Sequence, residues 1–165
     1  MPKEEIVHSI TSILFALLIL VGLILTLNFC FRPTKWLEKS RDAHRVEDLQ
    51  NLTNAVNLYL ADNKNFDSLT TSKIYSSNSG GQAINGQGWV PLDFSSISSG
   101  APLAKLPIDP IDDASYYYRF SVDVVNKTFE IDCVLEEGAN QKKMLEDGGN
   151  NLARYEVGTD LTILK

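Results

Sequence analysis

The chain has 165 residues, with 15 Lys and Arg against 21 Asp and Glu, a formal charge of −6 at pH 7 and a pI near 4.9. That length holds one modest core beside one apolar segment rather than two independent cores, and the acidic balance argues against a nucleic-acid partner, which relies on clustered Lys and Arg. Cys30 and Cys133 are too few for a disulfide framework and lack metal-ligand spacing, so both read as small buried residues.

The first element is an apolar helix. None of the 26 positions from Ile6 to Phe31 is Asp, Glu, Lys or Arg. As a helix at ~1.5 Å per residue the run extends roughly 39 Å, longer than the ~30 Å hydrocarbon core of a bilayer. A secretory signal peptide fits poorly: Lys3 is the one basic residue ahead of the run, Glu4 and Glu5 follow it, and the far end reads Asn28-Phe29-Cys30-Phe31 in place of a small-residue cleavage site. Residues 1–33 are therefore expected to form an N-terminal segment and a retained transmembrane helix.

Pro33 punctuates or kinks the chain just past this run, and Thr34 is placed to cap a second helix over residues 35–63. Val46, Leu49, Leu52, Val56, Tyr59 and Leu60 recur at spacings of three and four, which makes one apolar stripe. Arg41, Asp42, Arg45, Glu47, Asp48, Asn51 and Asn54 are mostly left to solvent on this reading. A Ser-, Thr-, Asn- and Gly-rich stretch follows, with Ser76-Ser77-Asn78-Ser79-Gly80-Gly81 and Ser95-Ser96-Ile97-Ser98-Ser99-Gly100, and residues 64–108 are expected to be a long flexible loop. Gly80, Gly81, Gly86 and Gly88 have neither the G-x-G-x-x-G spacing nor the Gly-Lys-Ser/Thr ending of a phosphate loop.

Beyond Asp109 the period changes to two. In Thr128 to Glu136, Phe129, Ile131, Cys133 and Leu135 share one face and Glu130, Asp132 and Val134 the other, the pattern of a half-buried strand. Tyr116 to Val124 is aromatic and β-prone, Asn126-Lys127 sits at the hairpin turn, and Tyr155 to Leu164 supplies a third strand after Gly148-Gly149-Asn150-Asn151. One helix stripe and one apolar sheet face predict an α+β head over residues 34–165, its helix packed on a small antiparallel sheet over residues 109–165.

Several segments carry a family resemblance. Arg41-Asp42-Ala43-His44-Arg45-Val46-Glu47-Asp48-Leu49 leading to Leu58-Tyr59-Leu60-Ala61-Asp62-Asn63, then Leu106-Pro107-Ile108-Asp109-Pro110, Tyr116-Tyr117-Tyr118, the strand Phe129 to Glu136, and Tyr155-Glu156-Val157-Gly158-Thr159-Asp160 together resemble type IV pilins and type II secretion pseudopilins. The resemblance implies a structural subunit, not an enzyme, that assembles through its N-terminal helix with copies of itself or other pilin-like subunits into a pilus or secretion pseudopilus. It also implies a bacterial cell membrane location with the head outside the cytoplasm. Arg32, Lys35, Lys39, Arg41 and Arg45 on the head side, against Lys3 on the other, favour the opposite orientation by the positive-inside rule. The run opens Glu4-Glu5-Ile6-Val7-His8-Ser9 where a prepilin has Gly followed by Phe-Thr-Leu-Ile-Glu, and it contains no glutamate of its own. The chain is accordingly expected to keep its N-terminal segment. The alternative is a single-pass membrane protein whose head is a binding module and does not polymerise.

No catalytic set is legible. His8 at the membrane edge and His44 on the second helix lack the context of a nucleophile or a metal pair. Asp109, Asp112 and Asp113 around Pro110 form the one constellation with chemistry, since hard cations such as calcium collect carboxylate oxygens, and the resemblance to major pseudopilins points to calcium in this region. The competing reading is an Asx turn set up by Asp-Pro. No other cofactor is expected.

Overall fold

The structure, a computed structural model, describes residues 3–31, 33–62 and 64–165. It divides the chain into two compact units, Met1–Leu37 and Glu38–Lys165. The second helix, α2 (Pro33–Ala61), runs through this boundary. Pro33 opens that helix: at the first helical position its fixed φ suits the turn and its missing N–H costs no hydrogen bond. Thr34 lies inside the helix and is not its cap.

The first unit is dominated by α1 (Lys3–Phe31). Its stretch Val7–Asn28 covers 22 residues at a mean hydropathy of 2.8, and none of it is buried within the chain. Four polar side chains in this stretch turn back on the helix. Thr11 and Ser12 donate to the carbonyl of His8 at 3.0 and 2.8 Å, Thr26 to Leu23 at 2.8 Å, and the Asn28 amide to Ile24 at 3.0 Å. Each of these polar groups is satisfied one turn back along its own helix, as a hydrocarbon environment demands.

The second unit is an α+β head. Its sheet has four antiparallel strands in the order β1 (Tyr75–Ser76), β2 (Arg119–Asp123), β3 (Thr128–Cys133) and β4 (Tyr155–Gly158). Phe120 lies opposite Ile131 and Val122 opposite Phe129 across β2 and β3, and Ile131 opposite Val157 across β3 and β4. Leu49, Leu52, Ala55 and Val56 of α2 share one buried core with Phe120, Val122, Phe129, Ile131 and Cys133 of the sheet, as the stripe and the period-two pattern predict. The β2–β3 connection is the expected hairpin. The Asp123 carboxylate accepts the N–H groups of Val125 and Asn126, and Lys127 takes a left-handed φ of 55°.

Three expectations are corrected. Residues 64–108 are not a flexible loop: Phe66, Trp89, Val90, Leu92, Phe94, Ile97 and Leu106 are buried in the same core. Gly80 and Gly88 permit close packing there. A Cβ on Gly80 would stand 2.7 Å from the Trp89 Cα, and one on Gly88 would collide with the Ala83 carbonyl and the Leu106 side chain. Next, β3 is buried on both faces, with Glu130 and Asp132 fully covered. The third expected strand ends early, at Gly158, and its continuation folds back so that Thr159 and Asp160 donate to the Phe129 carbonyl and Ile163 and Leu164 to Glu130. A short helix, α3 (Gln141–Glu146), and the two-residue β1 had no sequence signal long enough to show periodicity.

Candidate functional site

The head's polar chemistry is concentrated in two buried ionic clusters. The first is built on Arg45, whose position on α2 was read as solvated and is 0% exposed. Its Nε and Nη2 form a bidentate pair with Asp109 at 2.6 and 2.9 Å, while Nη1 donates to Asp42 at 2.8 Å and to Glu136 at 2.5 Å. Arg41 closes the cluster with its own paired hydrogen bonds to Glu136 at 2.7 and 2.5 Å. Asp42, likewise expected in solvent, accepts the N–H groups of Glu136 and Glu137, both at 2.9 Å. Burial opposes the Arg45 charge, but its hydrogen bonds to Asp109, Glu136 and Asp42 outweigh that and raise its pKa. Glu136 is held below its ordinary value, first by the Arg41 hydrogen bond and, burial notwithstanding, by Arg45. One helix turn is thereby bonded to the loop before β2 and to the segment that follows β3.

The second cluster lies on the sheet face away from α2. Asp132 receives Arg119 and Arg154, the latter at 2.7 Å, and Arg154 also donates to the Tyr117 carbonyl at 2.8 Å. Beside it, Glu130 accepts the N–H groups of Ile163 and Leu164 at 2.8 and 2.7 Å, and Glu156 accepts that of Asn151 at 2.9 Å. Among the described residues, the remaining oxygen of each glutamate, Oε1, is buried with no N–H donor beside it. Burial, then a hydrogen bond with the neighbouring Glu156 carboxyl, pushes the Glu130 carboxyl up to about 8.

The three aspartates of the candidate calcium loop are divided among separate tasks. Asp109 is buried on Arg45 and also accepts the Ile111 N–H at 2.9 Å. Asp112 accepts the Ser77 hydroxyl at 2.6 Å, at a φ of 50°. Asp113 accepts the N–H groups of Ser115 and Tyr116 at 2.7 and 2.8 Å, which hold its pKa below the ordinary value. The loop is thus an Asx-turn region tied to a guanidinium, and among the described residues no group of three or more His, Cys, Asp or Glu is placed to hold a metal ion. His8 and His44 are exposed. Cys133 is a free thiol buried in the core, where desolvation raises its pKa; the side chain of Cys30 lies outside the described residues.

No family model, curated protein or solved structure matches the chain. Its functional reading therefore rests on its own physical features. Of these the most distinctive is α1, 29 residues long with its apolar side chains from Val7 to Leu27 exposed. Burying a side chain such as Leu or Ile is worth ~1.5–3 kcal/mol, and this helix is long and apolar enough to cross a membrane.

Proposed function

We propose that the protein is a membrane-anchored structural subunit of the type IV pilin or pseudopilin kind, assembling through its N-terminal helix into a pilus or secretion pseudopilus. The observation that carries this reading is the pairing of an uncharged, uncovered helix long enough to cross a bilayer with a small α+β head in which a helix shares its core with an antiparallel sheet. The head's polar groups are consumed in ionic clusters that bind its own elements together, which suits a scaffold better than a catalyst. The segments that resemble pilins fall on these clusters: Asp42 and Arg45 of α2, and Asp109 of the loop, meet in one of them.

Shearing cells and probing the released filaments for this chain tests assembly directly: the chain is expected in the sheared fraction. A second reading is favoured by one observation, the lack of any glutamate from Ile6 to Phe31, since the family uses such a residue to neutralise a neighbouring subunit's terminal amine. On that reading the chain stays singly in the membrane and its head binds a partner. Retention of the whole population in the membrane fraction after shearing would decide for it.

A further inference from the structure

Trp36 and Leu37, at the end of the first unit, are 67% and 57% exposed. Two adjacent large apolar side chains in a helix segment otherwise rich in Lys, Glu and Ser are poorly placed in water. Tryptophan combines an apolar body with one N–H donor, which is why it collects at the headgroup level of membranes.

Their position resolves an ambiguity in how α1 sits. The uncharged run of 26 residues exceeds the ~20 that fill a hydrocarbon core, so some of it must lie outside. The two ends are chemically unequal. His8, Ser9, Thr11 and Ser12 crowd the beginning, whereas Asn28 is the one polar residue in the last five, and its amide is already bonded to Ile24. The residues most cheaply left among headgroups are therefore the first ones.

Placing the hydrocarbon boundary at Phe31 puts roughly Ser12 to Phe31 in the core. His8 and Ser9 then enter the far headgroup layer. Trp36 is five residues past residue 31, roughly 7 Å when that count is taken at the helical rise, close to the ~5–7 Å depth of the headgroup region. A centred run would instead leave Trp36 roughly 11 Å out, in water.

We propose that Trp36 and Leu37 form a docking surface for the phospholipid headgroup layer that fixes the depth of α1, with Ser12 to Phe31 as its hydrocarbon-spanning slice. This rests on the membrane-anchor reading above. Trp89 supplies an internal reference: it is 3% exposed and its indole N–H donates to the Pro107 carbonyl at 2.8 Å, inside the head.

The test uses the full chain in phosphatidylcholine vesicles whose acyl chains carry bromine either near the headgroup or near the chain end. The emission that Trp36→Phe removes is the Trp36 component. It is expected to be quenched more by the shallow bromines than by the deep ones, and to resist aqueous iodide. Quenching by iodide with no effect of bromine at either depth, in protein that still floats with the vesicles, would overturn the docking surface and leave the anchor standing. Stronger quenching by the deep bromines would overturn it too. Failure to float with the vesicles would overturn the anchor reading itself.

Discussion

Arg45 shows how much of the head depends on single side chains. It serves Asp42, Asp109 and Glu136 at once, so its loss leaves buried carboxylates without their counter-charge. Breaking a buried pair in this way costs about 3–5 kcal/mol, and Arg45→Met is expected to lower the urea midpoint by that equivalent. Unchanged unfolding would show that water reaches the cluster. The three aspartates follow from the same geometry: with Asp109 held by Arg45 and Asp113 by its own loop's N–H groups, melting curves in calcium and in chelator are expected to coincide. A calcium-dependent rise would restore the metal reading, since a ligand that binds only the folded state must stabilise it. Glu130 predicts a pH dependence. Its carboxyl moves from an ordinary 4.5 to about 8 in the fold, so between these values the unfolded chain loses a proton that the native one keeps. Its contribution is whole below the unfolded value and is lost as pH rises through about 8. Glu136 acts oppositely, because a lowered pKa gives stability that is lost on acidification. Glu130→Gln keeps an acceptor for the Ile163 and Leu164 N–H groups and should flatten the alkaline limb alone; equal slopes in variant and parent would place the proton elsewhere.

At the scale of elements, the stripe on α2 is the clearest case of sequence dictating packing. Leu49, at 0% exposure, lies in the core shared with the sheet, and Leu49→Ala is expected to cost about 2–5 kcal/mol in thermal or urea unfolding. A midpoint that did not move would mean the stripe faces something other than the head. The α2 stripe and the β2–β3 hairpin were legible because helix and strand periods are local and repeat several times within each element. What stayed hidden was non-local. Asp42 and Arg45 look like surface residues on a helical wheel, and only the arrival of Asp109 and Glu136 from distant segments makes their burial affordable. Glu130 and Asp132 alternate as a solvent face should, until the C-terminal tail and two arginines cover them. The Ser- and Gly-rich stretch misled for a related reason: its apolar residues Trp89, Val90, Leu92, Phe94 and Ile97 follow no period, yet all are buried. Composition marks such a segment as irregular, and irregular is a different property from unpacked.

At the scale of the whole molecule, the two compact units differ in what they need from their surroundings. The head buries Leu49, Phe120, Phe129, Ile131 and their neighbours to completion, and its two ionic clusters join residues from distant segments of the head. The first unit differs: from Val7 to Leu27 its large side chains are exposed, and Thr11, Ser12 and Thr26 are bonded inward to the helix backbone. An apolar surface of that kind aggregates in water, where hydrophobic burial is the dominant attraction, and is at ease in lipid, where it is not. Deleting residues 1–37 removes the apolar unit while leaving Arg41, Asp42, Arg45 and the stripe from Val46 onward in place. The shortened chain is therefore expected to remain in the supernatant without detergent and to melt with one cooperative transition. The full chain is expected to sediment with membranes and to be released by detergent but not by high salt, since salt screens charges over about 10 Å at 0.1 M and leaves apolar burial intact. A full chain released by salt would make the association electrostatic and peripheral. A shortened chain that still sedimented with membranes would move the attachment into the head, and α1 would then need another purpose.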